Sequence, residues 1–188
     1  MKRQKIQLVT ILILLIAMAA AYVGVKYYNN NYKEEEETVS YTVTQDDAAS
    51  VKSLFLVNDN GELSFTKEGD TWYENSDKTV SIDAGALEDM IEAAVSVTSE
   101  DVIENAKDMS QYGLDDPEIT VTYTTENGSI TLEIGDYNSS VSKYYVCVKG
   151  ENMVYTMNSS ERASFTKSLD DLKKIETQDG ENAETKED

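Results

Sequence analysis

The sequence contains no histidine, one cysteine (Cys147) and one proline (Pro117). Without histidine, the chain has neither a Ser-His or Cys-His nucleophile pair nor an imidazole ligand for a metal. A single cysteine cannot form an internal disulfide, and no cysteine follows the apolar N-terminal run to accept a lipid. A phosphate-binding glycine loop is also missing. These absences exclude most hydrolase templates and lipoprotein anchoring.

The chemistry of the remaining residues gives no alternative active site. Cys147 lies in YYVCV, a pattern typical of a strand, where a buried cysteine behaves as a small hydrophobic residue and not as a reactive thiolate. Carboxylate pairs could act as in glycosidases, but the 36 acidic residues make no particular pair identifiable. We therefore predict no catalytic residue, no cofactor and no metal site, and a protein that is not an enzyme.

One long uncharged run stands near the N-terminus. Residues 6–25, IQLVTILILLIAMAAAYVGV, match the roughly 20 helical residues that cross a bilayer. A cleaved secretory signal is the alternative, because alanines at 17–21 resemble a cleavage site, but the apolar run continues beyond them. Lys2, Arg3 and Lys5 precede the run and favour a cytoplasmic N-terminus. We predict a cytoplasmic basic stub at 1–5, a transmembrane anchor at 6–28 and an extracytoplasmic remainder.

The remainder is strongly acidic. After residue 30 there are 12 basic residues and 36 acidic ones, a net charge of −24. Such a field repels nucleic acid and attracts divalent cations and basic partners, so we predict no nucleic-acid binding. Residues 29–50 contain the block EEEE and predict an acidic stalk, with a strand at 39–43 as an option; residues 176–188 predict a disordered acidic tail. The folded domain is therefore placed at 51–175.

The domain pattern predicts antiparallel β meanders packed with two amphipathic helices, an α+β fold. Short apolar runs are separated by the turn dipeptides Asn60-Gly61, Gly69-Asp70, Asn127-Gly128 and Gly135-Asp136. Asp83 is the expected N-cap of one helix, and Asn158 begins a second helix that we expect to reach about Ile175. The two halves follow a similar order, which either records a duplication or reflects common turn and cap motifs.

The segment DMSQYGLDDPEITVTY, residues 108–123, predicts a structural corner formed by Tyr112, Gly113, Leu114, Asp115 and Pro117. Asp108 can cap a short helix, Gly113 can end it in the left-handed conformation, and Leu114 can make the hydrophobic contact of that cap. The alternative is a site built on Asp115 and Asp116. Adjacent carboxylates on an extended chain point to opposite sides, which favours the corner.

A resemblance to a known family is visible in these motifs. The helix LEDMIEAAVSV, the corner YGLDDP at 112–117, LEIGD at 132–136, YYV at 144–146 and VYTM at 154–157 together resemble the family called domain of unknown function 4340. The resemblance covers nearly all of 51–157. It implies an exported or membrane-attached domain of the bacterial envelope, and it brings no activity and no catalytic residues.

We therefore expect a single-pass membrane protein whose extracytoplasmic domain is a binding or assembly module of the cell envelope. The expected partner is an envelope protein; the alternative is a surface that binds cell-wall glycan or a divalent cation such as calcium. Trp72 and Tyr144 are the candidate ligand-facing aromatics, although a lone tryptophan in a short strand is more typical of a core. NDNGE at 58–62 lacks the ligand spacing of a calcium loop and predicts a hairpin turn.

Overall fold

The computed structural model describes residues 2–31 and 39–175, which fall into two units divided between residues 38 and 39. The first unit contains helix α1, Lys2–Asn31, and the large apolar side chains described along it are exposed. Over the described ranges, no helix meets the length and apolarity that a membrane crossing requires. The transmembrane anchor at 6–28 lies inside α1 and stays a prediction. Residues 32–38 of the predicted stalk and the predicted tail at 176–188 lie outside the described residues.

The second unit is an α+β domain built on antiparallel strands, as the sequence predicts. Its strands are β1 (Tyr41–Thr42), β2 (Ser53–Asn58), β3 (Gly61–Glu68), β4 (Thr71–Glu74), β5 (Thr98–Ser99), β6 (Val102–Ile103), β7 (Ile119–Thr125), β8 (Gly128–Asn138), β9 (Lys143–Val148) and β10 (Val154–Met157). Eight of them form one sheet in the order β4-β3-β2-β7-β8-β9-β10-β6, while β1 pairs with β5 in a small separate sheet. Strand β4 is therefore one edge of the large sheet.

Two-residue turns set the strand register. Glu68 pairs with Thr71, so the Gly69-Asp70 turn lies where the sequence predicts it. Asn58 pairs with Gly61 and Thr125 with Gly128, so these two turns are formed by residues 59–60 and 126–127, one residue before the predicted dipeptides. Burial alternates along β7 from Ile119 to Thr125, which is the period of a strand with one face packed against the core.

Helix α2, Ala84–Val95, covers the buried face of the sheet. The Asp83 side chain caps it by accepting from the backbone N–H groups of Gly85 and Ala86, at 3.0 and 3.2 Å. One face of the helix is fully buried in the main core, with members Leu87, Met90, Ile91, Ala94 and Val95. The first predicted amphipathic helix is therefore confirmed, together with its cap.

Residues 39–50 belong to the folded unit, whereas the domain boundary drawn from the sequence at residue 51 leaves them in the stalk. Val43 N–H donates to the Val97 carbonyl at 2.9 Å, and the buried Thr44 hydroxyl donates to the Ala94 carbonyl at 2.8 Å. A 3-10 helix at Ala48–Ser50 then leads into β2. These contacts reach the end of α2 and the residues that follow it, about fifty positions along the chain, which explains why local composition did not reveal them.

The second predicted helix is much shorter than expected. Helix α3 covers only Ser159–Ala163, and a 3-10 helix follows at Asp170–Leu172. The Asn58 side-chain amide donates to the carbonyls of Phe165 and Lys167, at 2.9 and 3.0 Å. These carbonyls accept hydrogen bonds from the β2–β3 hairpin and not from a following helical turn. The prediction of a helix that reaches Ile175 was therefore wrong.

Gly135-Asp136 is not a turn. Strand β8 runs through it to Asn138, with a shift of register against β9 between Ile134 and Tyr137. The chain reverses after β8 instead, at residues 139–142. The predicted turn was wrong. Gly135 is a glycine for another reason, because the backbone of Tyr112 and Gly113 lies where its side chain would be.

Candidate functional site

A groove lies between helix α2, the β3–β4 hairpin and the 3-10 helix at Ala48–Ser50. We call it the Trp72 groove. It has a volume of about 280 Å³ and is lined by Ala48, Ala49, Lys67, Trp72, Glu88, Ile91 and Glu92. Ile91 and Trp72 are buried and supply apolar surface, while Glu88 and Glu92 are exposed. The groove thus joins an apolar wall to charged groups, as ligand sites commonly do.

Trp72 combines a core position with an unsatisfied polar atom. Its side chain is 6% exposed and belongs to the main hydrophobic core, and the residue also lines the groove. Its buried indole Nε1–H has no hydrogen-bond partner among the described residues. A buried donor without an acceptor costs about 1–3 kcal/mol, so such a group calls for an explanation. Trp72 is thus a core residue that lines the groove, and its buried indole N–H has no partner among the described residues.

Lys67 stands directly opposite Trp72 in the β3–β4 hairpin. Its Nζ lies 5.7 Å from the centroid of the indole, within the range of a cation–π contact. The ion pairs of the described residues include none made by Lys67, Glu88 or Glu92. One ammonium and two carboxylates of opposite charge therefore border the same groove without forming an ion pair among the described residues.

Strand β4 is an edge strand of the large sheet beside the groove. Asn75 N–H donates to the Ser64 carbonyl at 2.8 Å, which fixes the alternation of the β3–β4 ladder. Because hydrogen-bonded pairs alternate in an antiparallel ladder, the backbone groups of Trp72 and Glu74 face away from β3. No described strand pairs with that edge. These backbone groups thus do not pair with β3, and both residues are buried, with Trp72 6% and Glu74 3% exposed.

The Glu74 carboxylate is held at the end of this edge. The residue is buried, and its Oε2 accepts from the Ser76 hydroxyl at 2.5 Å and from Asp77 N–H at 2.8 Å. Burial alone would raise the pKa of Glu74, but these hydrogen bonds outweigh it and lower the pKa below the ordinary value. Glu74 therefore stays ionised and fixes the chain after β4.

A larger and shallower depression adjoins the groove. It has a volume of about 570 Å³ and shares Ala49 and Lys67 with the Trp72 groove. Lys52 and Glu126 also line it, and their side chains form an exposed ion pair at 2.8 Å. Lys67 lies at the junction of the two cavities, so a ligand longer than the groove has room to extend past it.

The corner at 108–117 has the local geometry that the sequence predicts. Asp108 accepts from Ser110 N–H at 3.1 Å and caps a 3-10 helix at Met109–Tyr112, and Gly113 ends that helix with a φ of 67°. A Cβ at Gly113 would overlap Asp136, and a Cβ at Gly135 would overlap the Tyr112 carbonyl. The corner thus rests directly on β8, where two glycines permit the contact.

Neither the corner nor Tyr144 reaches the groove. Leu114 is buried in a small second cluster with Cys147 and Val154, while Asp115 and Asp116 are exposed. Tyr144 is half-buried, and the Arg162 guanidinium carbon lies 4.4 Å from the centroid of its ring. The two candidate aromatics, Trp72 and Tyr144, therefore do not line one common site.

Two observations concern the single thiol and the acidic side chains of the described residues. Burial and then the charge of Glu133 raise the pKa of the Cys147 thiol to about 12, so a thiolate is not formed near neutral pH. Among the described residues, no group of three or more cysteine, aspartate or glutamate side chains is arranged to hold a metal ion.

Sequence reasoning missed Lys67, Glu88 and Glu92 as members of one site. A signal was available for Lys67, because the Gly69-Asp70 turn places residues 67 and 72 opposite each other. The position of Glu88 and Glu92 beside that pair depends on how α2 packs across the sheet, and no local pattern contains this information.

The fold and the groove together define a small α+β domain with a ligand-sized cavity at one end of its antiparallel sheet. The family model described as domain of unknown function (DUF4340) matches residues 72–184, more than half of the chain, and the chain belongs to this family. The resemblance drawn from the sequence motifs is thereby confirmed. No curated protein and no solved structure matches the chain.

Proposed function

We propose that this DUF4340 protein is a membrane-anchored, extracytoplasmic binding module that holds a partner of the cell envelope in the Trp72 groove. The observation that carries the proposal is the buried Trp72 Nε1–H, which lacks an acceptor among the described residues and belongs to a residue that lines the groove. A bound ligand with an acceptor atom would remove the cost of this unsatisfied donor. The charges of Lys67, Glu88 and Glu92 would add orientation.

The proposed membrane anchor is supported by observations other than the groove. In the sequence, residues 6–25 have no charged residue and match the roughly 20 helical residues of a bilayer span, whereas no helix over the described ranges meets the length and apolarity of a crossing. Helix α1 covers this run, and its described apolar side chains are exposed, among them Ile13, Leu14, Leu15 and Ile16. Exposed apolar side chains over several turns are costly in water and favourable in lipid. An envelope location also agrees with the acidic character of the remainder, which suits basic partners.

Binding can be tested by fluorescence, because Trp72 is the only tryptophan in the chain. The full-length protein in detergent micelles would be titrated with a panel of envelope components: soluble peptidoglycan fragments, basic peptides and calcium chloride. We expect a saturable change of Trp72 emission with at least one of them, abolished or weakened by Lys67→Met. If every probe leaves the emission unchanged, the groove is not a binding site and the proposal fails.

The anchor and its orientation need a different experiment. In a Cys147→Ala background, which removes the only thiol, Ser140→Cys in the exposed turn after β8 provides one labelling position. We expect a membrane-impermeant maleimide to label this cysteine in intact cells and the protein to stay with membranes after alkaline carbonate extraction. Release of the unprocessed chain by carbonate, or labelling only after lysis, would contradict the proposed topology.

A further inference from the structure

The charged groups of the Trp72 groove lie on two different walls. Lys67 stands on the β3–β4 hairpin, whereas Glu88 and Glu92 stand on α2, and the groove lies between these elements. None of the ion pairs among the described residues joins the Lys67 ammonium to either carboxylate. The positive and negative charges are therefore separated across the groove and do not neutralise each other by direct contact.

This arrangement disfavours a ligand that carries charge of one sign only. Glu88 and Glu92 lie one helical turn apart, so the groove has two negative charges and the one positive charge of Lys67. A cation at the carboxylates is repelled by the Lys67 ammonium across the groove. An anion at Lys67 meets both carboxylates and the net charge of −24 after residue 30. A zwitterion avoids both repulsions, because each of its ends can face the wall of opposite charge.

The remaining lining of the groove is apolar, and the groove is small. Ile91 is 1% and Trp72 6% exposed, and Ala48 and Ala49 add methyl groups from the 3-10 helix. The volume of about 280 Å³ lies at the lower limit of typical small-molecule sites, which measure roughly 300–1,000 Å³. The lining therefore suits a ligand with an apolar group between or beside its two charges, of about one or two amino-acid residues in size.

Resting on the proposed binding role of the groove, we propose that its ligand is a small zwitterion of the amino-acid type, a free amino acid or dipeptide with an apolar side chain. The carboxylate of the ligand lies at Lys67, and its ammonium lies at Glu88 and Glu92. The apolar side chain packs on Ile91 and Trp72. The carboxylate also carries the acceptor atoms that the proposed function requires.

The test uses the full-length protein in detergent micelles and the fluorescence of Trp72, the only tryptophan. The probe is leucyl-leucine with both termini free. Its N-acetyl form lacks the ammonium, its C-terminal amide lacks the carboxylate, and glycyl-glycine lacks the apolar side chains. We expect a saturable change of emission with leucyl-leucine, and roughly tenfold or greater weakening with each of the three matched probes.

Protein variants assign each terminus of the probe to its wall. Lys67→Met should weaken binding of leucyl-leucine by roughly tenfold or more, but it should not weaken binding of the C-terminal amide, which has no carboxylate to lose a partner. Glu88→Gln combined with Glu92→Gln should likewise weaken leucyl-leucine and not the N-acetyl form.

Asp89→Asn is the matched control for the general charge of the domain. Asp89 is exposed on the same helix and does not line the groove. This variant should change the affinity for leucyl-leucine by less than about threefold, since only a more distant charge is lost.

The inference is overturned if acetylation and amidation leave the affinity for leucyl-leucine unchanged, because the two walls would then not read the charges of the ligand. Equal weakening by Asp89→Asn would overturn it too, since only overall charge would matter. A saturable response to peptidoglycan fragments, basic peptides or calcium without one to leucyl-leucine would also overturn it, while leaving the binding role of the groove intact. Failure of every probe would instead remove the proposed function as well.

Discussion

At the scale of single residues, two glycines explain how the corner at 108–117 is held. Gly113 adopts a left-handed φ of 67°, which most residues avoid, and ends the 3-10 helix there. Position 135 needs glycine for a different reason, because the Tyr112 carbonyl occupies the space that a Cβ would fill. The sequence predicted the role of Gly113 from the local cap pattern. It could not predict that of Gly135, since the contact joins segments more than twenty residues apart.

Gly135→Ala should destabilise the domain. The added methyl group meets backbone atoms of Tyr112 and Gly113 and not a flexible side chain, so the corner must move away from β8. We expect a loss of about 1–3 kcal/mol in the free energy of unfolding, measured by chemical denaturation followed by circular dichroism. Gly85→Ala in the first turn of α2 is the control and should be neutral or slightly stabilising, because its Cβ has ordinary space. Equal stability of the two variants would contradict the close contact.

Glu74 gives a prediction about pH. Hydrogen bonds from Ser76 and Asp77 outweigh the effect of burial and hold the pKa of Glu74 below its ordinary value of 4.5. A lowered folded-state pKa contributes stability at pH above 4.5, and this contribution is lost as the pH falls through the folded-state pKa. The Glu74→Gln variant should therefore be less stable than the wild type at neutral pH, with the difference shrinking in acid.

Thermal denaturation of both proteins between neutral pH and about pH 3 measures this difference. Glu62→Gln on β3 is the control for loss of an exposed carboxylate, and it should show little difference at any pH. If the difference in melting temperature between the wild type and Glu74→Gln grew as the pH fell, the pKa of Glu74 would not be lowered in the folded state.

At the scale of elements, the structure shows where local patterns stop being sufficient. The hairpins and α2 follow from turn dipeptides, alternation and the Asp83 cap, all of which are local. Helix α3 ends early because side chains of Asn58 and Asn60, more than a hundred residues away, bind the carbonyls that follow it. A helical pattern of apolar residues survives there, with Phe165 and Leu172 buried, but the backbone is held in another conformation.

The hairpin contact can be tested by Asn58→Ala. Asn58 is 8% exposed, and its amide serves two carbonyls while its Oδ1 accepts from Asn60 N–H at 2.8 Å. Removing it leaves buried acceptors unpaired, which should cost about 2–4 kcal/mol of unfolding free energy. Asn60→Ala removes a single exposed contact and should cost less than about 1 kcal/mol in the same urea titration. The reverse order of the two losses would contradict this explanation of the helix end.

At the scale of the whole molecule, the composition alone supported the predictions that do not depend on how the strands pair. The absence of histidine, the excess of acid and the apolar run at 6–25 restricted the class of protein before any element was placed. The motifs were sufficient for the family. The groove could not be predicted from the sequence, because Lys67 and Trp72 lie in one hairpin whereas Glu88 and Glu92 come from a helix packed across the sheet. Only the packing of distant elements creates this site.

The excess of negative charge predicts a dependence on salt. Repulsion among the acidic residues opposes the compact state, and salt screens exposed charges over a Debye length of about 10 Å at 0.1 M. Three of the seven described ion pairs are exposed at both partners and contribute little each, and the other four each keep one exposed partner. The loss of these pairs by screening should therefore not cancel the stability gained from weaker repulsion. We expect the melting temperature to rise as sodium chloride is increased from about 0.02 M to about 0.3 M. A fall over that range would mean that the ion pairs outweigh the repulsion.

The central claim is that Trp72 provides a hydrogen-bond donor to a ligand in the groove, and the most direct measurement is the indole ¹H–¹⁵N resonance of this single tryptophan. In the full-length protein labelled with ¹⁵N, we expect one indole signal that moves downfield in the proton dimension as a probe that changes the Trp72 emission is added, because the Nε1–H gains an acceptor. The movement should saturate together with the fluorescence change. A signal that stays in place while that probe binds would contradict the account.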